Sequence, residues 1–267
     1  TGAPLFQAIR SMTALRRSHR VFSHGTPRVL RSNPAGAGIL AYRMEHDTAH
    51  ALVLFNTAET DILLDNLDTG WPAGSRLAVK YTQRDFNAEP VLGKRGELTL
   101  VLPGRSALVL MPDGTPGMLP GDVHRPVLDA LPARVDAAAL AVSGTAAPNR
   151  RLQLVLDGDL AHATETISDS QGRWQAILAT DALMDPGIAH RLVLWDPQAG
   201  VASQAGVFHS EKRWHEILRV DDPKRDDHGR TGKLSYPDDP GWAGKHPGDI
   251  ERITVHQAGS ALKIEIT

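Results

Sequence analysis

Ala51-Leu52-Val53-Leu54-Phe55-Asn56 is the stretch that decides the fold. It is an unbroken apolar run, the sign of a strand covered on both faces rather than one. Upstream, Gly38-Ile39-Leu40-Ala41-Tyr42-Arg43-Met44 alternates loosely, and His46-Asp47-Thr48-Ala49-His50 between the two reads as a polar hairpin loop. Further strands are expected at Asp61 to Leu67, Leu77 to Tyr81, Gly96 to Leu102 and Ser106 to Met111. Residues 26–112 therefore read as one β-sandwich, about the size usual for such a domain.

Beyond it the composition shifts. Pro112, Pro116, Pro120, Pro126 and Pro132, mixed with Gly114, Gly117 and Gly121, make 113–132 a semi-rigid linker. A second set of short strands follows. Leu140 to Gly144, Leu152 to Leu156 closing at the Asp157-Gly158 turn, Gly172 to Leu178, His190 to Asp196 and Ala205 to Phe208 suggest an immunoglobulin-like sandwich over 133–210. The last section, 211–267, offers strands at Asp249 to Val255 and Ala261 to Thr267. Two strands are marginal alone, so this section is expected to be the truncated start of a third domain.

Leu5 to His19 is the one convincing amphipathic helix. Leu5, Ile9, Met12 and Leu15 recur at helical spacing, Pro4 suits the first turn, and Arg16 and Arg17 suit the negative end of the helix dipole. Residues 1–25 are set apart as this helix and its turn-rich connection, Val21 to Pro27. A helix with one apolar face must bury it on something, and no later segment is an obvious partner. The fold class expected is mainly β, with tandem antiparallel β-sandwiches and one N-terminal helix.

The chain has 267 residues and a formal net charge of −2, with both signs mixed along it. No broad basic field exists to hold nucleic acid. No stretch of about 18 apolar residues spans a membrane. Cysteine is absent, which removes disulfides and thiol chemistry. The twelve histidines form no His-x-His or His-Glu-x-x-His arrangement, so zinc is not expected. Glu45 with Asp47, and Glu59 with Asp61, can be paired on paper as catalytic carboxylates, but both pairs fall in loops and read as solvated.

Asp222, Asp226, Asp227 and Asp249 can converge on calcium, a hard cation that takes several oxygen ligands. The same residues also suit a solvated turn, and the spacing is not that of an EF-hand. Five tryptophans could stack on sugar rings. Trp174 and Trp195 lie within apolar alternation and read as core, given the area a tryptophan buries. Trp71 and Trp242 sit in Gly/Pro-rich loops and are the candidates for exposed platforms, with packing an equal alternative to binding, while Trp214 opens the last section.

Leu15-Arg16-Arg17-Ser18-His19, then Gly38 to Arg43, then Leu52-Val53-Leu54-Phe55-Asn56, resemble the end of the alpha-amylase family of glycoside hydrolases. In that family the last helix of a (β/α)8 barrel leads into a C-terminal β-sandwich. Pro103-Gly104-Arg105-Ser106-Ala107-Leu108-Val109-Leu110 resembles that sandwich's closing strand. Asp222-Pro223, Asp226-Asp227-x-Gly229, Tyr236-Pro237, Asp249-Ile250 and Val255 resemble the start of a glucodextranase-type C-terminal domain, although Lys224 or Arg225 stands where a glycine is usual.

The resemblance implies a retaining enzyme on α-glucans, with an aspartate nucleophile and a glutamate acid/base about 5 Å apart at the barrel's strand ends. All such residues would precede Leu5. The resemblance thus implies a chain with no catalytic residue, inactive alone, belonging to an extracellular or periplasmic enzyme, with calcium as its one implied cofactor. The rival readings are a stand-alone carbohydrate-binding or structural sandwich array and, last, a cell-surface adhesion protein.

Overall fold

A computed structural model describes residues 3–86, 90–117, 123–183, 185–211, 214–222, 250–258 and 261–267. Two helices, α1 (Pro4–Ser18) and α2 (Val21–His24), precede the strands. The first sandwich holds β1 (Thr26–Ser32), β2 (Ile39–His46), β3 (Ala49–Asn56), β4 (Ile62–Asp68), β5 (Ser75–Thr82), β6 (Glu97–Leu102) and β7 (Ser106–Pro116). The second holds β8 (Val127–Leu128), β9 (Arg134–Val135), β10 (Ala139–Thr145), β11 (Arg151–Leu156), β12 (Asp159–Ile167), β13 (Arg173–Ala179), β14 (Ala189–Asp196), β15 (Val201–Ala202) and β16 (Gly206–Ser210). A last sheet is made of β17 (His215–Asp221), β18 (Arg252–Ala258) and β19 (Ala261–Ile266). The protein is mainly β, and every named pairing is antiparallel except β9 with β16.

In the first sandwich a sheet of order β1-β2-β3-β7-β5 covers β4 and β6. Leu52, Leu54, Leu108 and Leu110 face Ile62, Leu64, Leu98, Leu100 and Leu102 in one core. The alternate residues of β3 and β7 are covered too: Ala51, Val53, Ala107 and Val109 are all buried. This is the two-sided burial that the apolar run of β3 signals. Trp71 belongs to the same core.

Asn56 ends β3 and ties the layers. Its side-chain amide donates to the carbonyls of Thr60 (2.8 Å), Leu102 (3.2 Å) and Pro103 (3.0 Å), and its side-chain oxygen accepts from the Ala58 N–H at 2.9 Å. The opposing turn has its own requirement at Gly104, where any Cβ would lie 2.0 Å from the Glu59 carbonyl oxygen. Ser106 completes the turn by donating to the Pro103 carbonyl at 2.6 Å. Asn56, Gly104 and Ser106, which belong to two of the stretches that carry the family resemblance, are therefore staples that close one end of the sandwich.

In the second sandwich β13-β10-β8 face β11, β14 and β16, enclosing Leu152, Leu154, Trp174, Leu192, Leu194 and Phe208. Two features differ from the sequence expectation. Residues 127–128, inside the expected linker, form a strand on β10, and the Val127 carbonyl accepts from the Trp174 indole at 3.1 Å. Strand β12, unmarked by any apolar run, pairs with β11 and also meets β4 of the first sandwich at Asp159 and Ile62. The result is one eight-stranded sheet through both sandwiches.

In the last sheet the register sets Leu218, Val220, Ile253, Val255, Leu262, Ile264 and Ile266 on one face. Arg252 bonds Asp221 at 2.5 Å, and Lys263 pairs with Glu265, on the other.

Asn56→Ala is expected to lower unfolding free energy by about 2–3 kcal/mol, since it strands several buried polar groups. Urea denaturation followed by tryptophan fluorescence measures it. A loss near zero would mean that these bonds do not hold the layers.

Candidate functional site

Helix α1 has no buried residue. Leu5 is 72% exposed, Ile9 50%, Phe6 48% and Met12 46%. Ala8 and Leu15 alone in that helix are half-buried. The helix is anchored instead through α2, whose Val21 is fully buried. The His24 ring stacks on His46 of β2 at 5.6 Å, and the Gly25 N–H donates to the Val21 carbonyl at 3.2 Å. Beside this anchor the outer face of the first sheet carries Tyr42 stacked on Phe55, with ring centroids 6.2 Å apart. Burial raises the Tyr42 phenol above its ordinary range. The helix stripe thus presents an apolar surface that the sandwich does not cover. Patches of this kind mark sites of association.

The sequence-predicted site residues do not assemble around it. Trp71 is 8% exposed and packs inside the first core, not on the surface. The turn that looked open from its Gly and Pro content folds the indole inward, with the Trp71 backbone N–H donating to Thr69 Oγ1 at 3.2 Å. A sugar cannot stack on that ring. Trp174 and Trp195 are buried, as their alternation indicates, and Trp214 is 37% exposed. Asp222 is exposed at the end of β17, its N–H donating to the Glu251 carbonyl at 3.0 Å. Asp226, Asp227, Asp249 and Trp242 lie outside the described residues. Among the described residues no group of three metal-binding side chains occurs.

The paper pairs of carboxylates are spent on structure. Glu45 pairs with Arg43 and Glu59 with Arg105, and the Gly104 N–H donates to Asp61 at 3.0 Å. Asp47 is 86% exposed in the β2–β3 turn.

A polar cluster that no motif announces lies where the two sandwiches meet. Asp65, 3% exposed, accepts from Arg31 Nη1 at 2.9 Å and from Arg191 Nε at 3.2 Å. Burial pulls the Arg31 guanidinium down, Asp65 pushes it up and Arg191 pulls it down further, with a net lowering. A cleft of about 430 Å³ opens nearby, with Lys94, Arg95, Glu97, Arg125 and Gln204 in its wall. Arg125 donates to Glu97 and to Asn66, each at 2.6 Å. Burial pushes the Glu97 carboxyl up. Hydrogen bonds from its own N–H, the Arg95 N–H and the Arg125 side chain outweigh this and hold it below the ordinary value. Glu97 and Arg125 of this wall satisfy each other, so this pair braces the cleft.

No known protein family's sequence profile matches the chain, and no curated protein matches it. Among solved structures, it is similar to a mutant of MutB from crystals soaked with trehalulose, at 19% identity and a TM-score of 0.30. That likeness covers 38% of this chain and 17% of the other. It is also similar to the gamma-CGTase of the alkalophilic Bacillus clarkii, at 16% identity and a TM-score of 0.34, over 83% of this chain and 31% of that one. The chain spans less than a third of either, and at these TM-scores neither likeness assigns its fold.

Two outcomes are expected. Leu5→Glu with Ile9→Glu lowers binding of a hydrophobic dye and any self-association seen by sedimentation velocity, with the circular dichroism of the sandwiches unchanged. Unaltered dye binding would place the exposed apolar surface elsewhere. The depressed carboxyl of Glu97 contributes stability at pH above its unfolded value, and this is lost as pH falls through its folded value. Glu97→Gln should therefore melt below the native protein at pH 7, with the gap narrowing toward pH 3. A gap independent of pH would refute the assignment.

Proposed function

We propose that this chain is the non-catalytic C-terminal part of a secreted alpha-amylase-type glycoside hydrolase acting on α-glucans. The single observation that carries the reading is the uncovered stripe Leu5, Phe6, Ile9 and Met12. Its helix leads into a sandwich whose staples, Asn56 and Pro103-Gly104-Arg105-Ser106, are the residues that resemble that family. An amphipathic helix gains most of its stability from the surface its apolar face packs on. In this reading that surface is the enzyme's barrel, and the first sandwich buttresses it.

The nucleophile and the acid/base then belong to the barrel, and α-glucan is met through the parent enzyme. An extracellular or periplasmic location, a glucodextranase-type last domain, and calcium at Asp222, Asp226, Asp227 and Asp249 belong to the same proposal. The burial of Trp71 removes one of the two platforms that a stand-alone carbohydrate-binding array would use, and so favours the supporting role.

The purified chain is expected to release no reducing sugar from soluble starch or maltooligosaccharides. Measurable hydrolysis would end the proposal. Affinity electrophoresis in amylopectin separates the two non-catalytic roles: unchanged mobility fits a buttress, and retardation fits a carbohydrate-binding array.

A further inference from the structure

The contact between the two sandwiches is built unlike a tether. Besides the β4–β12 pairing, the Leu63 N–H donates to the Gly158 carbonyl at 2.8 Å, seating the β11–β12 turn on β4. That turn is shaped by Asp157 and Gly158, both left-handed, with φ of 51° and 83°. Asp157 in turn holds β14: its carboxylate accepts from the Arg191 N–H and pairs with the His190 ring, each at 2.8 Å.

Behind the shared sheet lies a third core that belongs to neither sandwich alone. Leu63 and Val101 come from the first, and Val155, Val193, Trp195 and Ala202 from the second. Leu63, Val155 and Val193 are at most 2% exposed.

The polar groups around this core cross the joint as well. Asp65 of β4 is clamped by Arg31 of β1 and Arg191 of β14. Asn66 donates to the Ser203 carbonyl at 2.8 Å and accepts from Arg125, which lies on the connecting segment. Four separate parts of the chain therefore converge on two neighbouring residues of β4. A buried carboxylate that lost its partners would be strongly destabilising, so sliding or hinging at the joint must break this set together.

We propose that this joint is a rigid splice that makes the second sandwich a strut: the two sandwiches move and open as one body, oriented by the Arg31–Asp65–Arg191 clamp and the Asn66–Ser203 bond. Asp65 and Asn66 are positioning residues in this device. The proposal is independent of the enzyme to which the chain belongs. Its consequence is that whatever covers helix α1 is held in a set geometry relative to the second sandwich, where a linker of 113–132 would leave it free.

The absence of cysteine makes the test direct. Lys80→Cys on β5 and Gln175→Cys on β13, both exposed, take a spin label each in the full chain for pulsed electron resonance. The native joint is expected to give one narrow distance distribution. Adding Asp65→Asn and Asn66→Ala, with folding checked by circular dichroism, is expected to abolish it in favour of a broad or split one. A broad distribution in the doubly labelled native chain overturns the proposal with no need of the variant. So does a distribution left narrow and unmoved by the two substitutions.

Discussion

The structure depends on a carboxylate that cannot stand alone. Asp65 sits on β4 at 3% exposure, where the outward side of the first sandwich meets that of the second. Taken out of water unpaired, such a charge costs several kcal/mol, of the order of a small domain's whole stability. Arg31 from the first sandwich and Arg191 from the second answer it from either side. The third core excludes water behind it. Ionic clamp and apolar core require each other: the core makes the clamp costly to break, and the clamp fixes the register in which Leu63 meets Val193 and Trp195.

Much of this was legible in the residues. The apolar run of β3 announced a strand covered twice over, and Ala51 and Val53 on its outer side are indeed buried. The amphipathic helix, the longer strands of both sandwiches other than β1 and β12, and the core positions of Trp174 and Trp195 followed from periodicity. The joint did not, for a physical reason. Strand β12, Asp159-Leu160-Ala161-His162-Ala163-Thr164-Glu165-Thr166-Ile167, is half-exposed and owes its place to pairing with β11 and β4 rather than to an apolar face. Yet Ile62-Leu63-Leu64 and Leu192-Val193-Leu194-Trp195 are continuous apolar runs like that of β3. Read the same way, they would have announced a surface behind each sheet. Strand β1, with a mostly exposed Thr-Pro-Arg sequence, was hidden by the same lack of pattern.

The candidate site was legible in the opposite sense. Trp71, chosen for chemistry, proves to be core, while the carboxylates Glu45, Asp47, Glu59 and Asp61, read as solvated rather than catalytic, prove to lie in turns and local bonds. Residues chosen for resemblance, Asn56 and Pro103 to Ser106, prove to close the sandwich. A tryptophan in a Gly/Pro-rich turn carries no mark of which way its ring will face, since that depends on whether the layer beneath has room. What remains outward includes the stripe on α1 and the Leu218, Val220, Leu262, Ile264 and Ile266 face of the last sheet; the α1 stripe, a surface for association rather than reaction, is why the proposed role is support of a catalytic body.

In the proposed joint the first two sandwiches are a single body organised around Asp65. Native-state hydrogen exchange on the full chain tests it most directly, because opening free energies report cooperative units. The amides of Leu63 and Leu64 in β4 and those of Val193 and Leu194 in β14 are expected to share one opening free energy and to respond alike to added denaturant. Amides of β14 exchanging through a separate, lower-energy opening while β4 stays closed would contradict it.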